Sequence, residues 1–154
     1  IFSNSIDRLR DELKKEVEQK ASEAFSKLIH RKIYAGLRIN NNYGLQILNQ
    51  EGDEVPMKSS GAEQIVALSL IDALSRTGRD SGPVVMDTPF GRLDDIHREK
   101  IVEYLPESAS QLMLFVHKGE TNDEMLEKMA SQIGTQYKID LQDDETNSLI
   151  RKMN

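Results

Sequence analysis

The chain lacks cysteine and tryptophan, and only 5% of its residues are aromatic. The absence of cysteine excludes disulfides, thiolate catalysis and cysteine-ligated zinc, and it is compatible with a reducing compartment such as the cytoplasm, where we expect the protein. So few aromatic residues argue against a binding surface built from stacked rings. No apolar run approaches the roughly 20 residues that a membrane-spanning helix needs, so we expect a soluble chain without a membrane partner.

The net charge and the length of the chain limit its expected binding partners and its number of domains. A net charge of −6 argues against a broad nucleic-acid-binding face on this chain, although a local basic patch or a partner chain could still supply one. A length of 154 residues suits a single domain with one sheet-and-helix core. The first residue is Ile1 rather than methionine, so we expect a fragment of a longer protein.

An apolar run that ends in an acid lies in segment 81–95, SGPVVMDTPFGRLDD. Its residues 84–86 are rich in β-branched side chains and predict a buried strand, with Asp87 at the carboxyl end. Ligands of open α/β sheets bind at that end of a strand, which makes Asp87 a candidate for holding a cation or phosphate. Asp94 fits the N-cap of a following helix. A plain strand-turn-helix with a capping aspartate explains these residues equally well.

The amino-terminal part predicts a helix followed by a hairpin. Apolar residues recur at steps of three and four from Ile6 to Ile29, the pattern of a long amphipathic helix. The spacing also suits the last turns of a coiled coil, and a surface helix packed on its own domain is the alternative. Ile33–Ile39 and Leu45–Leu48 flank an asparagine-rich turn and predict a β-hairpin. Residues 49–56 then predict a polar turn.

A second predicted helix begins after Ser59, Ser60 and Gly61. Ser60 with Glu63 has the spacing of a capping box. A hydroxyl and free backbone N–H groups at the positive end of a helix form a place to bind phosphate. Ordinary capped helices begin in the same way, so this pattern alone does not separate the two interpretations.

A second buried strand is predicted at 111–116, ending at His117. If it lies beside the Asp87 strand, His117 could reach a nucleotide phosphate or an attacking water. A structural role for a histidine at a strand end is the alternative. The remaining chain predicts one helix and two strands, at Asp123–Ile133, Tyr137–Leu141 and Leu149–Met153. We therefore expect an α/β fold, a sheet with flanking helices.

The order of these features resembles the carboxyl-terminal half of an ATP-binding-cassette head of the SMC type. Asp87 follows Ser59 by 28 positions and His117 follows Asp87 by 30, with a G-R-L-D loop at Asp94 between them. The family includes chromosome-structuring ATPases, the coiled-coil DNA-repair ATPase that works with a nuclease, and DndD-type ATPases of DNA sulfur modification and of anti-phage or anti-plasmid systems. The resemblance covers nearly the whole chain.

The resemblance implies a half-head of a P-loop NTPase. Residues 1–32 would end a returning coiled-coil arm, and residues 33–154 would form the carboxyl-terminal lobe. Ser59 and Gly61 match the signature motif, which in the family contacts the γ-phosphate of ATP held by the opposing head. Ser60 between them and Gln64 just after them belong to the same expected ATP-binding segment.

The resemblance also assigns roles to the two strand ends. Asp87 matches the Walker B aspartate, which holds Mg²⁺ through water, and Asp94 lies in the D-loop at the contact between heads. His117 matches the switch histidine near the γ-phosphate. These roles suit phosphoryl transfer, because charge develops on the γ-phosphoryl oxygens and a cation, helix amides and an imidazole must converge there.

The chain departs from the family pattern at two sites. Lys58 and Ala62 stand where the signature normally has leucine and glutamate, which leaves its selectivity open. Thr88 occupies the position next to Asp87 where most of the family has the glutamate that orients water. A threonine cannot act as a general base near pH 7, so hydrolysis is slow or depends on another group, for which Glu120 is a candidate. The Asp-Thr-Pro form resembles the DndD-type branch.

No G-x-x-x-x-G-K-[ST] motif occurs in the chain, so this segment cannot cradle the β- and γ-phosphates by itself. We therefore expect a Walker A half of the same head, a second head, and ATP hydrolysis only when these are present. DNA is the expected partner of the assembly, with a nuclease or DNA-modification subunits as further candidates. The alternatives are an ATP-responsive structural module that hydrolyses little and a nucleotide-free α/β interaction domain.

Overall fold

A computed structural model describes residues 2–56, 59–78, 82–142 and 146–153. Helices and strands alternate along these ranges, which confirms the predicted α/β class. Lys58 of the signature segment and Ser81 of the central segment lie outside the described residues. The elements in chain order are α1 (Phe2–Leu28), β1 (Tyr34–Ile39), β2 (Leu45–Asn49), β3 (Glu54–Val55), α2 (Ser60–Thr77), β4 (Val84–Asp87), α3 (Asp95–Ser108), β5 (Leu112–Phe115), α4 (Asp123–Met129), β6 (Tyr137–Leu141) and β7 (Ser148–Lys152).

Helix α1 buries only the second half of its apolar stripe. Phe25 and Leu28 are fully enclosed, whereas Ile6, Leu9 and Leu13 are exposed. The predicted helix is confirmed, and its role as the end of a coiled-coil arm stays a prediction. None of the described helices is long and apolar enough to cross a membrane.

The predicted hairpin forms from β1 and β2, and a third strand extends it. Residues 49–56 were predicted as a polar turn only, which is wrong at β3, because Val55 pairs with Ile47. The side-chain oxygen of Asn49 accepts the backbone N–H groups of Glu51 and Asp53, and Gly52 has a φ of 84°. This tight reversal brings the next two residues alongside β2.

Strands β4 and β5 pair in parallel and place Asp87 opposite Phe115. The predicted adjacency of the two strands is therefore confirmed. Their predicted burial is correct for one face only. Met86 is enclosed, whereas Val85, Met113 and Phe115 are 58%, 46% and 44% exposed, because alternate residues of a strand point to opposite faces.

Of the carboxyl-terminal elements, α4 is shorter than predicted, β6 has the predicted bounds and β7 is shifted by one residue. Helix α4 ends at Met129 rather than Ile133, and β6 and β7 pair antiparallel as a separate two-stranded sheet. A single hydrophobic core contains residues of all four helices and of two sheets, β1–β3 and β4–β5, as the chain length predicted. Its fully enclosed large members are Phe25, Leu28, Ile47, Ile65, Phe90, Ile101 and Val102.

Candidate functional site

The candidate site surrounds the segment Thr88–Leu93, here called the post-strand loop, which joins β4 to α3. Asp87 lies at the end of β4 with its side chain exposed. Thr88 has a φ of 49°, and its N–H donates a 2.8 Å hydrogen bond to the Phe115 carbonyl at the end of β5. Within the described ranges the Asp87 carboxylate makes no hydrogen bond or ion pair. It is therefore free to bind a ligand at the strand end.

The first turn of α2 packs on the post-strand loop. Gln64 donates its side-chain amide to the carbonyls of Thr88 and Pro89. A Cβ added at Gly61 would lie 3.2 Å from the Arg92 carbonyl oxygen, so the missing side chain permits a close approach. Gln64 is thus held by the protein, while its predicted contact with ATP stays a prediction.

Ser59, rather than Ser60, caps α2. Ser59 has extended backbone angles, and its hydroxyl accepts the Ala62 N–H at 3.2 Å. Ser60 is the first helical residue, so the predicted capping box between Ser60 and Glu63 is wrong. A cap must itself be non-helical to turn its side chain back over the first amides, and only Ser59 meets that requirement. The predicted phosphate contacts of both serines stay predictions.

Asp94 is the N-cap of α3, as predicted. Its carboxylate accepts the His97 N–H at 3.0 Å and lies 2.6 Å from His97 Nδ1. The backbone hydrogen bond from His97, followed by the imidazole beside it, lowers the pKa of Asp94 against the opposing effect of burial. The capping role is therefore established, and the expected role in contacts between heads stays a prediction.

His117 follows β5 in a tight turn with an exposed side chain. Glu120 donates its N–H to the His117 carbonyl at 3.1 Å, and Gly119 has a φ of 97°, as the third residue of a type II turn requires. The Glu120 carboxylate accepts the His117 N–H at 3.1 Å. We call residues 117–120 the switch turn.

The switch turn also contacts the post-strand loop. A Cβ added at Gly91 would lie only 2.6 Å from Glu120 Oε1. The sequence did not predict this contact or the positive φ of Thr88. The only sequence signal of the contact was the glycine of the G-R-L-D segment. The structure thus brings three predicted parts, the start of α2, the end of β4 and the switch turn, around one loop.

Asp87 is the residue that could hold the expected Mg²⁺. No group of three or more histidine, aspartate or glutamate side chains clusters as a metal site in the described part of the chain. Mg²⁺ at nucleotide sites is bound through one or two carboxylates, with phosphates and water completing its shell. One exposed, unpaired carboxylate fits that donor set, and a full protein cage is not needed.

Comparison with known proteins identifies the fold of the chain. No protein-family model and no curated protein matches the chain. One similar solved structure comes from work on the ATP-driven dimerization and DNA-stimulated activation of SMC ATPases, with a TM-score of 0.67 and 18% identity over 96% of this chain. Another is the Smc head domain with a coiled coil and joint from Pyrococcus yayanosii, with a TM-score of 0.68 and 18% identity over 99% of this chain.

A third is the Pyrococcus furiosus Smc head domain with an extended coiled coil, bound to the carboxyl-terminal domain of ScpA, with a TM-score of 0.64 and 18% identity over 90% of this chain. The match spans 89% of the first structure's chain, but only 30% and 35% of the two Pyrococcus chains. The chain therefore has the fold of part of an SMC ATPase head domain.

Proposed function

We propose that this chain is the carboxyl-terminal part of an SMC-like ATPase head that binds Mg-ATP between two heads. Dimerization and hydrolysis would drive DNA-associated work in the cytoplasm. The observation that carries the proposal is the convergence of the α2 start, Asp87 and the switch turn on the post-strand loop. A similar solved structure belongs to work on ATP-driven dimerization of SMC ATPases, which supports the same function here.

The chain's own residues have separable roles in this proposal. Bound Mg²⁺ neutralises charge on the phosphate oxygens, and Asp87 would hold it. The first amides of α2 point away from the helix at its positive end, where they favour an anion from the opposing head. The His117 side chain is exposed at the neighbouring strand end, where its imidazole can hold or donate a proton.

A Walker A half of the same head is the partner that the chain requires. The sequence has no P-loop motif, and the uncovered face of the β4–β5 sheet next to Asp87 is apolar. We propose that the Walker A half covers Val85, Met113 and Phe115. This docking would bring its phosphate-binding loop to the strand end that carries Asp87.

Thr88 supports a second candidate function. Its hydroxyl cannot act as a general base near pH 7, so the head could respond to ATP as a structural or assembly module with little hydrolysis. The Asp-Thr-Pro segment resembles the DndD-type branch. We therefore propose DNA modification or anti-phage and anti-plasmid defence as the setting, with DNA repair beside a nuclease as the alternative.

The test is single-turnover phosphate release by the full-length protein carrying both halves of the head. Asp87→Ala and His117→Ala should each slow release by about 100-fold or more, since each removes a group at the developing charge. Equal rates for all three proteins would favour the assembly module. Failure to form a Mg-ATP-dependent dimer on a sizing column would contradict both functions and favour a nucleotide-free interaction domain.

A further inference from the structure

Glu120 is a buried acid between two parts of the candidate site. It is only 9% exposed, although glutamate is rarely buried without a partner. Within the described ranges its carboxylate forms no ion pair. Oε2 accepts the His117 N–H, and Oε1 lies against Gly91 of the post-strand loop. The two oxygens therefore face different elements, the switch turn and the post-strand loop.

The surrounding backbone is shaped to admit this carboxylate. A Cβ at Gly91 would lie 2.6 Å from Oε1, so any side chain there would force the Glu120 carboxylate out of this position. Gly119, in the left-handed region, lets the switch turn close and present the His117 N–H to Oε2. A buried carboxylate is costly unless hydrogen-bonded, and the charge-assisted bond from His117 offsets that cost.

The post-strand loop links Glu120 to the rest of the site. Its first residue is bonded to the end of β5 through Thr88 N–H, and Gln64 of α2 donates to the Thr88 and Pro89 carbonyls. Displacement of the loop at Gly91 would therefore shift its position relative to α2 and to the switch turn. Glu120 contributes the contact that runs directly from the switch turn to the loop.

We propose that Glu120 is a positioning residue that holds the switch turn against the post-strand loop, so that His117 and the Asp87–Asp94 segment keep a fixed relation when heads close on ATP. The proposal deepens the proposed function and rests on it. It also assigns Glu120 a different role from that of a general base replacing the missing glutamate at Thr88. Oε2 is engaged by the His117 N–H, and the Glu120→Gln variant below separates positioning from proton transfer.

The first test measures hydrogen exchange without nucleotide, which does not depend on ATPase activity. In the full-length protein, Glu120→Ala should speed exchange in peptides covering 88–93 and 112–121 by about tenfold or more, because a buried charge-assisted hydrogen bond is lost. Glu120→Gln should stay within about threefold of the unmodified protein, since the amide oxygen still accepts the His117 N–H. Gly91→Ala should resemble Glu120→Ala. The exposed Glu127→Ala on α4 is the control.

Unchanged exchange in Glu120→Ala would overturn the proposal. The second test is single-turnover phosphate release, in which Glu120→Gln should keep most of the rate and Glu120→Ala should lose about tenfold or more. If Glu120→Gln is as slow as Glu120→Ala while its exchange is normal, the carboxylate takes part in proton transfer and the positioning role is wrong. If the unmodified protein forms no Mg-ATP-dependent dimer, the proposed function fails, while the exchange result still decides whether Glu120 holds the two segments together.

Discussion

At the residue scale, Thr88 has the least expected conformation in the site. Left-handed backbone is unfavourable for a β-branched residue, and a φ of 49° at this position costs about 1–2 kcal/mol. The hydrogen bond from Thr88 N–H to Phe115 and the contacts of Gln64 hold the conformation in place. Thr88 directly follows Asp87, and its left-handed backbone turns the chain out of β4 into the post-strand loop.

We expect Thr88→Asn to stabilise the fold by about 1 kcal/mol, because asparagine tolerates the left-handed region far better than threonine. Urea denaturation gives the free energy of unfolding. Thr135→Asn is the matched control, since Thr135 lies in an exposed segment with ordinary φ and should change stability by less than about 0.5 kcal/mol. A destabilised Thr88→Asn protein would show that the contacts of the Thr88 side chain contribute more to the free energy of unfolding than the backbone strain costs.

Residues of the candidate site were predictable from the sequence where each one directly follows an apolar strand. Asp87 and His117 were identified because each follows an apolar run, and the parallel pairing of β4 and β5 brings the two ends together. The Glu120 contact with Gly91 was not predictable, because it joins residues 29 positions apart across two loops. Loop-to-loop contacts have no periodicity that a sequence could reveal.

At the element scale, the start of α3 depends on Asp94. This carboxylate accepts the His97 N–H, and its lowered pKa means that the folded protein binds the proton more weakly than the unfolded chain does. The charged form therefore contributes stability above the unfolded pKa of about 3.9. That contribution is lost as the pH falls through the lower, folded pKa.

We expect Asp94→Ala to cost about 1 kcal/mol at pH 7, the typical value of a lost N-cap. Asp94→Asn keeps a capping oxygen without a titratable charge, so its deficit relative to the unmodified protein should shrink as the pH falls from 6 to 3. Urea denaturation across this pH range measures both effects, with Asp11→Asn on the exposed face of α1 as control. A deficit that grows on acidification would contradict the lowered pKa of Asp94.

Elements with a strong periodic pattern were predicted, whereas β3 and the cap of α2, which depend on local hydrogen bonds, were not. Helix α1 and the β1–β2 hairpin follow from the spacing of their apolar residues. Strand β3 depends on the Asn49 side chain closing a turn, and the cap of α2 depends on which of two adjacent serines is extended. Both features depend on local side-chain hydrogen bonds, and the sequence allowed more than one outcome.

At the scale of the whole molecule, the described chain leaves an apolar sheet face uncovered. One face of β4–β5 packs into the core through Met86, and the opposite face exposes Val85, Met113 and Phe115. Contiguous exposed apolar residues mark an interaction site more often than scattered ones do. Their position beside Asp87 connects this face to the proposed nucleotide site.

We expect the double change Val85→Gln and Met113→Gln to weaken binding of a separately produced Walker A half by about tenfold or more. Each amide would be buried without a hydrogen-bond partner, at about 1–3 kcal/mol per group. The chain's own stability should change by less than about 1 kcal/mol, because both side chains are already largely exposed. Calorimetric titration measures the affinity, with Ile139→Gln on β6 as a control of similar exposure, 51%. Unchanged affinity in the double variant would mean that the Walker A half docks elsewhere, and the apolar face would then need a different occupant.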